Sequence, residues 1–192
     1  MITKLSHIIA DFFIYKKFIP EEQREVYEYG FELSISSLIG IIIVLAIGLI
    51  SRKFWESVVF YTVFCFTRLF TGGFHAQSRL ICKITSGGTL LVVLVVNWLL
   101  HGIEDYYWFV LHFYSFVIVC QFAPIEAPNT ELKKHEKVRF KVISIIIMAV
   151  WLAVMFLFRV LGSELDHIVA LTLFCVANLM LFEIYREWRK TQ

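Results

Sequence analysis

The chain has 192 residues, 59% of them hydrophobic, and a mean hydropathy of +0.73. This composition is typical of a protein folded within a lipid bilayer, and the long apolar runs leave no room for a soluble catalytic domain. The formal net charge of +2 excludes little by itself, so the positions of the charges are more informative than their sum.

The N-terminal stretch predicts an amphipathic helix at the membrane interface. Its apolar residues recur at helical spacing, while Lys4, Asp11 and Lys17 can face the lipid headgroups. A signal peptide is a poorer interpretation because charges interrupt the apolar part and no small-residue cleavage site follows. Pro20 predicts the end of this helix, and polar residues after it complete an amphipathic cytoplasmic segment over residues 1–30.

Six apolar stretches follow. About 20 helical residues are needed to cross a hydrocarbon core of about 30 Å. The predicted spans are 33–50, 54–70, 81–100, 106–123, 142–161 and 167–185. The expected fold is therefore an all-α integral membrane protein with about six transmembrane helices, organised as one polytopic domain over residues 1–192.

Basic residues indicate how the spans are oriented. The connection before the fifth span, predicted as a basic cytoplasmic loop over residues 124–141, is the most basic part of the chain. Its lysines include Lys133, Lys134 and Lys137. By the positive-inside rule, this loop and both termini are cytoplasmic. Arg52 and Lys53 fall on the opposite side, which leaves open whether the first two spans cross completely.

The stretch "FTRLFTGGFHAQSRLICK", residues 66–83, places polar groups within apolar sequence. An ionisable group at membrane depth costs about 2.5–3.5 kcal/mol on insertion scales, which makes each one a functional candidate unless it reaches the interface. The candidates here are Arg68, Gly72, Gly73, His75, Ser78, Arg79 and Cys82. The alternative interpretation is that the arginines reach the cytoplasmic headgroups and that His75 merely lies in a loop.

A cysteine nucleophile with a histidine base is the catalytic interpretation of this stretch. A thiol with an ordinary pKa of about 8.5 is only slightly ionised at neutral pH, so an imidazole or a helix N-terminus is needed to supply thiolate. On one helix, His75 and Cys82 would be about 10.5 Å apart along the axis, too far for a hydrogen bond of about 3 Å. The chain between them must therefore leave the helix if they act together.

Two glycines and a serine would allow the chain to leave the helix between the second and third spans. Gly72 and Gly73 can end the second span, and Ser78 is a candidate N-cap for the third. Cys82 would then lie in about the first turn, where unpaired amides favour an anionic sulfur. The sequence thus predicts a catalytic loop and helix start over residues 71–82, at the cytoplasmic edge of the membrane.

Competing motifs are weak. The sequence has no HExxH or other histidine and cysteine cluster with zinc spacing, so no metal and no other cofactor is expected. It also has no GxSxG elbow, glycine-rich phosphate loop or nucleic-acid-binding module, and no nucleic-acid partner is expected.

The order Arg68, then "GGFHA" over residues 72–76, then Cys82, resembles the signature of the accessory gene regulator B family of bacterial membrane cysteine endopeptidases. The six-span hydropathy and the proline-containing stretch "FAPIEAPNTELKKHEKVRFK" are similar to that family as well. The resemblance covers essentially the whole chain. It implies a multi-pass protein of the bacterial cell membrane.

The resemblance also implies an activity. His75 and Cys82 would cut a quorum-sensing propeptide through an acyl-enzyme thioester, from which the precursor's own nucleophile closes a thiolactone ring. The substrate would be a small amphipathic propeptide with an acidic C-terminal tail. The basic loop could meet that tail or attract anionic membrane lipid. Arg68 would organise the catalytic loop or pair with acidic substrate residues, and the family resemblance also suggests a homodimer.

A non-catalytic peptide exporter or scaffold is the alternative. Glycine-rich breaks at membrane depth are typical of carriers, and the break over residues 71–80 could be one. No internal repeat is visible, however, and a scaffold in which His75 acts as a pH switch leaves the placement of Cys82 unexplained.

Overall fold

The computed structural model describes residues 2–72, 79–125 and 133–190, and within these ranges the chain forms seven α-helices and no strand. The helices are α1 (Ile2–Tyr15), α2 (Arg24–Ile50), α3 (Phe54–Thr71), α4 (Arg79–Leu99), α5 (Tyr106–Phe122), α6 (Lys134–Val160) and α7 (Leu165–Lys190). A short 3-10 turn, Glu21–Gln23, precedes α2. The prediction of an all-α protein is confirmed.

Several helices have the length and composition of membrane spans. In the described ranges, the segments long and apolar enough to cross a bilayer are Glu21–Ile50, Lys134–Val160 and Leu165–Arg189. Thr85–Leu99 and Tyr106–Phe122 are apolar but shorter, so six complete spans stay a prediction. Large apolar side chains such as Trp98 are exposed on the helix surfaces, as expected of helices that face lipid.

The start of α6 corrects the predicted basic loop. Residues 134–141 are helical, so the loop that the sequence predicted over 124–141 is too long. The Glu136 side chain accepts a hydrogen bond of 2.9 Å from the backbone nitrogen of Lys133, which satisfies a donor at the helix start. Lysine, glutamate and arginine are also good helix formers, and "KHEKVRFK" contains no glycine or proline.

Helix α7 is the central element. It packs against α3, α4, α5 and α6, and residues 166–173 are buried without interruption. A helix that is covered by other helices is expected to be largely apolar, and Ile168, Val169, Ala170 and Leu171 fit this expectation. The buried polar residues at its start have partners, because Asp166 pairs with Arg159 and His167 stacks on Trp108. The central position of α7 fixes the order of the other helices around it.

One end of the bundle contains the end of α3, the end of α5 and the start of α6. Gly72 forms an isolated bridge with Ile125, just after α5. The rings of Phe70 and Phe140 lie 6.4 Å apart, which places the start of α6 beside the end of α3. Because the segment predicted as the catalytic loop and helix start, residues 71–82, begins here at the end of α3, we call this end the site end.

The opposite end, which we call the far end, contains the starts of α5 and α7. Trp108 of α5 stacks on His167 of α7 with ring centroids 4.3 Å apart. The end of α4 is there too, because Asn97 lines the same cavity as Ser163, in the turn before α7. Helices α4 and α7 therefore run antiparallel, and the start of α4 and the C-terminal part of α7 lie at the site end.

The N-terminal helix α1 packs along the first turns of α2. The rings of Phe13 and Phe31 are 5.4 Å apart, and Arg24 binds both Asp11 at 2.5 Å and Glu28 at 2.8 Å. The other face of α1 exposes apolar side chains at helical spacing, namely Leu5, Ile8, Phe12 and Tyr15. This amphipathic pattern agrees with the predicted interfacial segment, although its location at the interface stays a prediction.

Candidate functional site

Gly72 forms a turn that only glycine fits. Its φ is +70°, and a Cβ atom at this position would lie 2.3 Å from the carbonyl oxygen of Ile125. The backbone nitrogen of Ile125 donates a hydrogen bond of 3.0 Å to the carbonyl oxygen of Thr71. A side chain at residue 72 would therefore be strained and would also push the two chain segments apart. The sequence predicted the backbone role of Gly72 but not its partner.

A buried hydrogen-bond chain holds the same end of α3 against α6. The indole nitrogen of Trp151 donates to Thr67 Oγ1 at 3.0 Å, and Thr71 Oγ1 donates to the carbonyl oxygen of Thr67 at 3.0 Å. Both threonines are fully buried. Sequence reasoning missed these three residues. The available signal was two threonines four residues apart, which share one face of an α-helix.

Arg68 lies in the last turn of α3, and its side chain is half-buried. Its guanidinium carbon is 5.5 Å from the centroid of the Phe64 ring, within the range of a cation–π interaction. Its backbone oxygen accepts a hydrogen bond of 3.2 Å from the nitrogen of Gly72. The Arg68 side chain thus packs against Phe64 of the same helix, and the Arg68 backbone lies one helical turn before Gly72.

Helix α4 begins at Arg79, which makes Cys82 its fourth residue. The first four N–H groups of a helix have no intrahelical acceptor, and these groups favour a negative charge nearby. For Arg79 and Cys82 the structure describes the backbone only. The remaining predicted site residues, Gly73, His75 and Ser78, lie outside the described residues, so the proposed pairing of His75 with Cys82 stays a prediction.

The predicted basic residues lie at the start of α6, at the site end. Lys133, Lys134 and Lys137 are exposed, and Arg139 and Lys141 follow them. Positive charges in the first turns of a helix interact unfavourably with the helix dipole. A local conflict of this kind is often retained for function. We call these five residues the basic cluster.

The carboxylate of Glu183 is buried near the site end, and the sequence predicted no catalytic role for it. Glu183 on α7 is only 2% exposed, and its Oε1 accepts a 2.5 Å hydrogen bond from the Arg186 guanidinium. No hydrogen bond reaches its Oε2 within the described part of the chain. Removing one partner of such a pair would leave an uncompensated charge in the bundle.

A metal centre finds no support in this part of the molecule. Among the residues that the structure describes, no group of three or more histidine, cysteine, aspartate or glutamate side chains could hold a metal ion.

Comparison with known proteins identifies the family. The model of the accessory gene regulator B (AgrB) family matches residues 6–184. The chain belongs to this family. The resemblance seen in the sequence is thus confirmed, and the AgrB match includes the end of α3, the start of α4, the basic cluster and Glu183.

Three curated relatives carry AgrB-like names. AgrB-like protein 2 of Clostridium perfringens strain 13 is 25% identical over 162 residues, covering 79% of this chain and 74% of the relative. An AgrB-like protein of C. perfringens strain SM101 is 26% identical over 162 residues with the same coverage. One from Halalkalibacterium halodurans is 26% identical over 145 residues, with 75% and 72% covered. No solved structure matches this AgrB-family chain.

Proposed function

We propose that this protein is a membrane-embedded cysteine endopeptidase that removes the C-terminal part of a quorum-sensing propeptide. Membership of the AgrB family supports a role in processing such a peptide. The observation that carries the proposal is the position of Cys82 in the first turn of α4, next to a glycine turn fixed by Ile125. His75 belongs to the segment that joins these two elements.

The first step is acyl transfer to the enzyme. His75 takes the proton of Cys82, and the sulfur bonds to the carbon of the scissile carbonyl. The C–N bond then breaks, and the imidazolium returns its proton to the departing amine. Backbone N–H groups in the first turn of α4 are the candidate donors for the oxyanion, because they have no acceptor within the helix.

The second step closes the thiolactone ring. His75, neutral again after the first step, takes the proton of the precursor's own cysteine thiol, and the sulfur of that cysteine attacks the thioester carbon. The bond from that carbon to the Cys82 sulfur breaks, which regenerates the Cys82 thiolate beside the His75 imidazolium. Exchange of one thioester for another is nearly neutral in free energy, whereas hydrolysis is strongly favourable. The site must therefore exclude water while the ring closes, and a reaction centre at the bilayer edge would do so.

The basic cluster is proposed to bind the acidic tail of the precursor. Its lysines are exposed and lie at the same end of the bundle as the start of α4. Opposite charge would guide the tail toward this end and orient the scissile bond. Anionic lipid is the competing ligand for the same cations.

The proposed topology is multi-pass, with six spans and the site end in the cytoplasm. The basic cluster and the C-terminal Arg186 and Arg189 both lie toward the site end, as the positive-inside rule requires. The far end carries several acidic residues, among them Glu104, Asp105, Glu164 and Asp166. In this arrangement both termini are cytoplasmic.

Co-expression with a precursor encoded nearby tests the function. Cys82→Ala and His75→Ala should abolish release of the C-terminal tail, measured by mass spectrometry at matched membrane levels. Cys120→Ala is the matched control, because Cys120 is a free cysteine on a different helix, α5. Release of the tail by Cys82→Ala would discard the peptidase and favour a peptide exporter or scaffold.

A further inference from the structure

An open groove runs between α4 and α7. Its volume is about 490 Å³, within the range of about 300–1,000 Å³ that is usual for ligand pockets. Residues that form its walls include Thr85, Gly88 and Thr89 on α4, and Phe174, Asn178 and Phe182 on α7. The walls are mainly apolar, so the groove suits an apolar occupant.

Small residues on α4 create this space. Gly88 is exposed, and a Cβ atom built on it would meet no other atom within 4 Å. The backbone of α4 could therefore carry a side chain here without any clash. The small residues of α4 thus leave a depression on the surface between α4 and α7.

The groove begins close to the proposed nucleophile. Because α4 and α7 run antiparallel, Thr85 and Phe182 are the wall residues nearest the site end. Cys82 precedes Thr85 by three residues, which is about 4.5 Å along the helix axis. The groove therefore begins about one helical turn after Cys82 and extends along α4 toward the far end.

We propose that this groove is the subsite for apolar side chains on the acyl side of the scissile bond. The inference rests on the proposed function, because the occupant is the part of the precursor that Cys82 holds as a thioester. The backbone of Cys82 lies within one helical turn of Thr85, at the entrance of the groove. A large apolar side chain at the acylated residue would fill the groove beside the peptide backbone, whereas alanine would fill it only in part.

Asn178 favours a peptide over a lipid chain as the occupant. Its side-chain nitrogen donates one hydrogen bond of 2.8 Å to the carbonyl oxygen of Phe174. The other N–H and the carbonyl oxygen of this amide can serve an occupant of the groove. A peptide backbone can pair with such an amide, but a lipid acyl chain cannot, and unpaired polar groups are costly in an apolar environment.

Filling the groove tests the proposal. Gly88→Phe places a ring where no atom lies within 4 Å of the Cβ position, so the fold should persist. Its kcat/KM for a precursor with phenylalanine at the acylated position should fall at least tenfold relative to wild type. Its kcat/KM for the matching alanine precursor should change less than threefold. Gly88→Ala should show a smaller shift in the same direction.

One control variant and one further test variant complete the experiment. Leu91→Phe adds a ring to an exposed position on α4 outside the groove and should keep the wild-type preference. Asn178→Leu should raise KM for both precursors while leaving kcat little changed, because it removes an amide from the groove wall. Gel filtration in detergent establishes that each variant folds and reports its oligomeric state.

The outcomes separate this proposal from the proposed function. Cleavage that survives Cys82→Ala overturns the peptidase, and the groove proposal falls with it. Cleavage that requires Cys82 but keeps its wild-type preference in Gly88→Phe overturns the groove proposal alone. An equal loss for both precursors would indicate a bound lipid chain, and a changed oligomeric state with unchanged preference would indicate a second copy. Either result overturns the peptide subsite.

Discussion

The two ends of the bundle are held together by different interactions. At the site end, neutral hydrogen bonds join α3 to its neighbours through Ile125 and Trp151. At the far end, Arg159 forms ion pairs with Asp105 and Asp166, and Asp166 is fully buried. Arg159 at the far end is thus engaged in ion pairs with two other segments of the chain, whereas the cations of the basic cluster are exposed.

This difference suggests a division of roles. The hydrogen bonds to Thr71 and Thr67 that hold the site end are neutral and do not use side chains of the basic cluster. At the far end, breaking the pair between Arg159 and Asp166 would leave an uncompensated charge inside the bundle. The far end is expected to act as a structural clamp, and the site end to bind and react. The following predictions test this comparison.

Gly72→Ala is expected to have the largest effect on the site end. The substitution adds left-handed backbone strain of about 1–3 kcal/mol and a contact with the Ile125 backbone that cannot relax locally. Cleavage of the precursor should fall more than a hundredfold. Gly162→Ala is the matched control: its φ is +68°, but no atom lies within 4 Å of the added Cβ. Similar activity of the two variants would contradict a specific role for the bridge to Ile125.

Arg159→Met is expected to destabilise the far end while sparing the chemistry. It leaves Asp166 buried without its cation, which costs about 3–5 kcal/mol. The thermal midpoint in detergent should fall, and adding Asp166→Leu should restore much of the loss. The rate of cleavage per folded molecule should stay within about twofold. A selective loss of kcat at full stability would show that the far end takes part in the reaction.

Trp151→Phe should have a moderate effect at the site end. It removes the donor to Thr67 and leaves a buried hydroxyl without this partner, at a cost of about 1–3 kcal/mol. Thr67→Val removes the other partner of the same bond. Chemical denaturation of both single variants and the double variant measures their coupling. Strictly additive effects would mean that this hydrogen bond does not stabilise the site end.

Charge reversal in the basic cluster should have the smallest effect per residue. Exposed ion pairs contribute about 0.2–1 kcal/mol each, so Lys133→Glu, Lys134→Glu or Lys137→Glu should each raise KM only several-fold. The effect should diminish at high salt, while membrane insertion stays unchanged. Reversal of Lys16 and Lys17, which lie outside the cluster, is the control. Unchanged processing by the triple variant would exclude docking of the acidic tail on these lysines.

The sequence predicted the helices better than their contacts. Apolar runs identified the central part of each helix from α2 to α7, because a membrane helix must be apolar along its length. The start of α6 was missed because a dense group of cations suits a loop or a capped helix equally well. The glycine turn was predicted from local backbone preferences. Its partner Ile125 and the bond from Trp151 to Thr67, 84 residues apart, depend on tertiary packing and have no local signal.

Intact mass spectrometry of the purified protein mixed with its precursor tests the central claim most directly. The account predicts an adduct with the mass of the precursor's N-terminal part, mapped to Cys82, released by hydroxylamine and absent from Cys82→Ala. Formation of the adduct should coincide with release of the C-terminal tail. Tail release without any adduct on Cys82, or an unchanged adduct on Cys82→Ala, would contradict the acyl-enzyme mechanism.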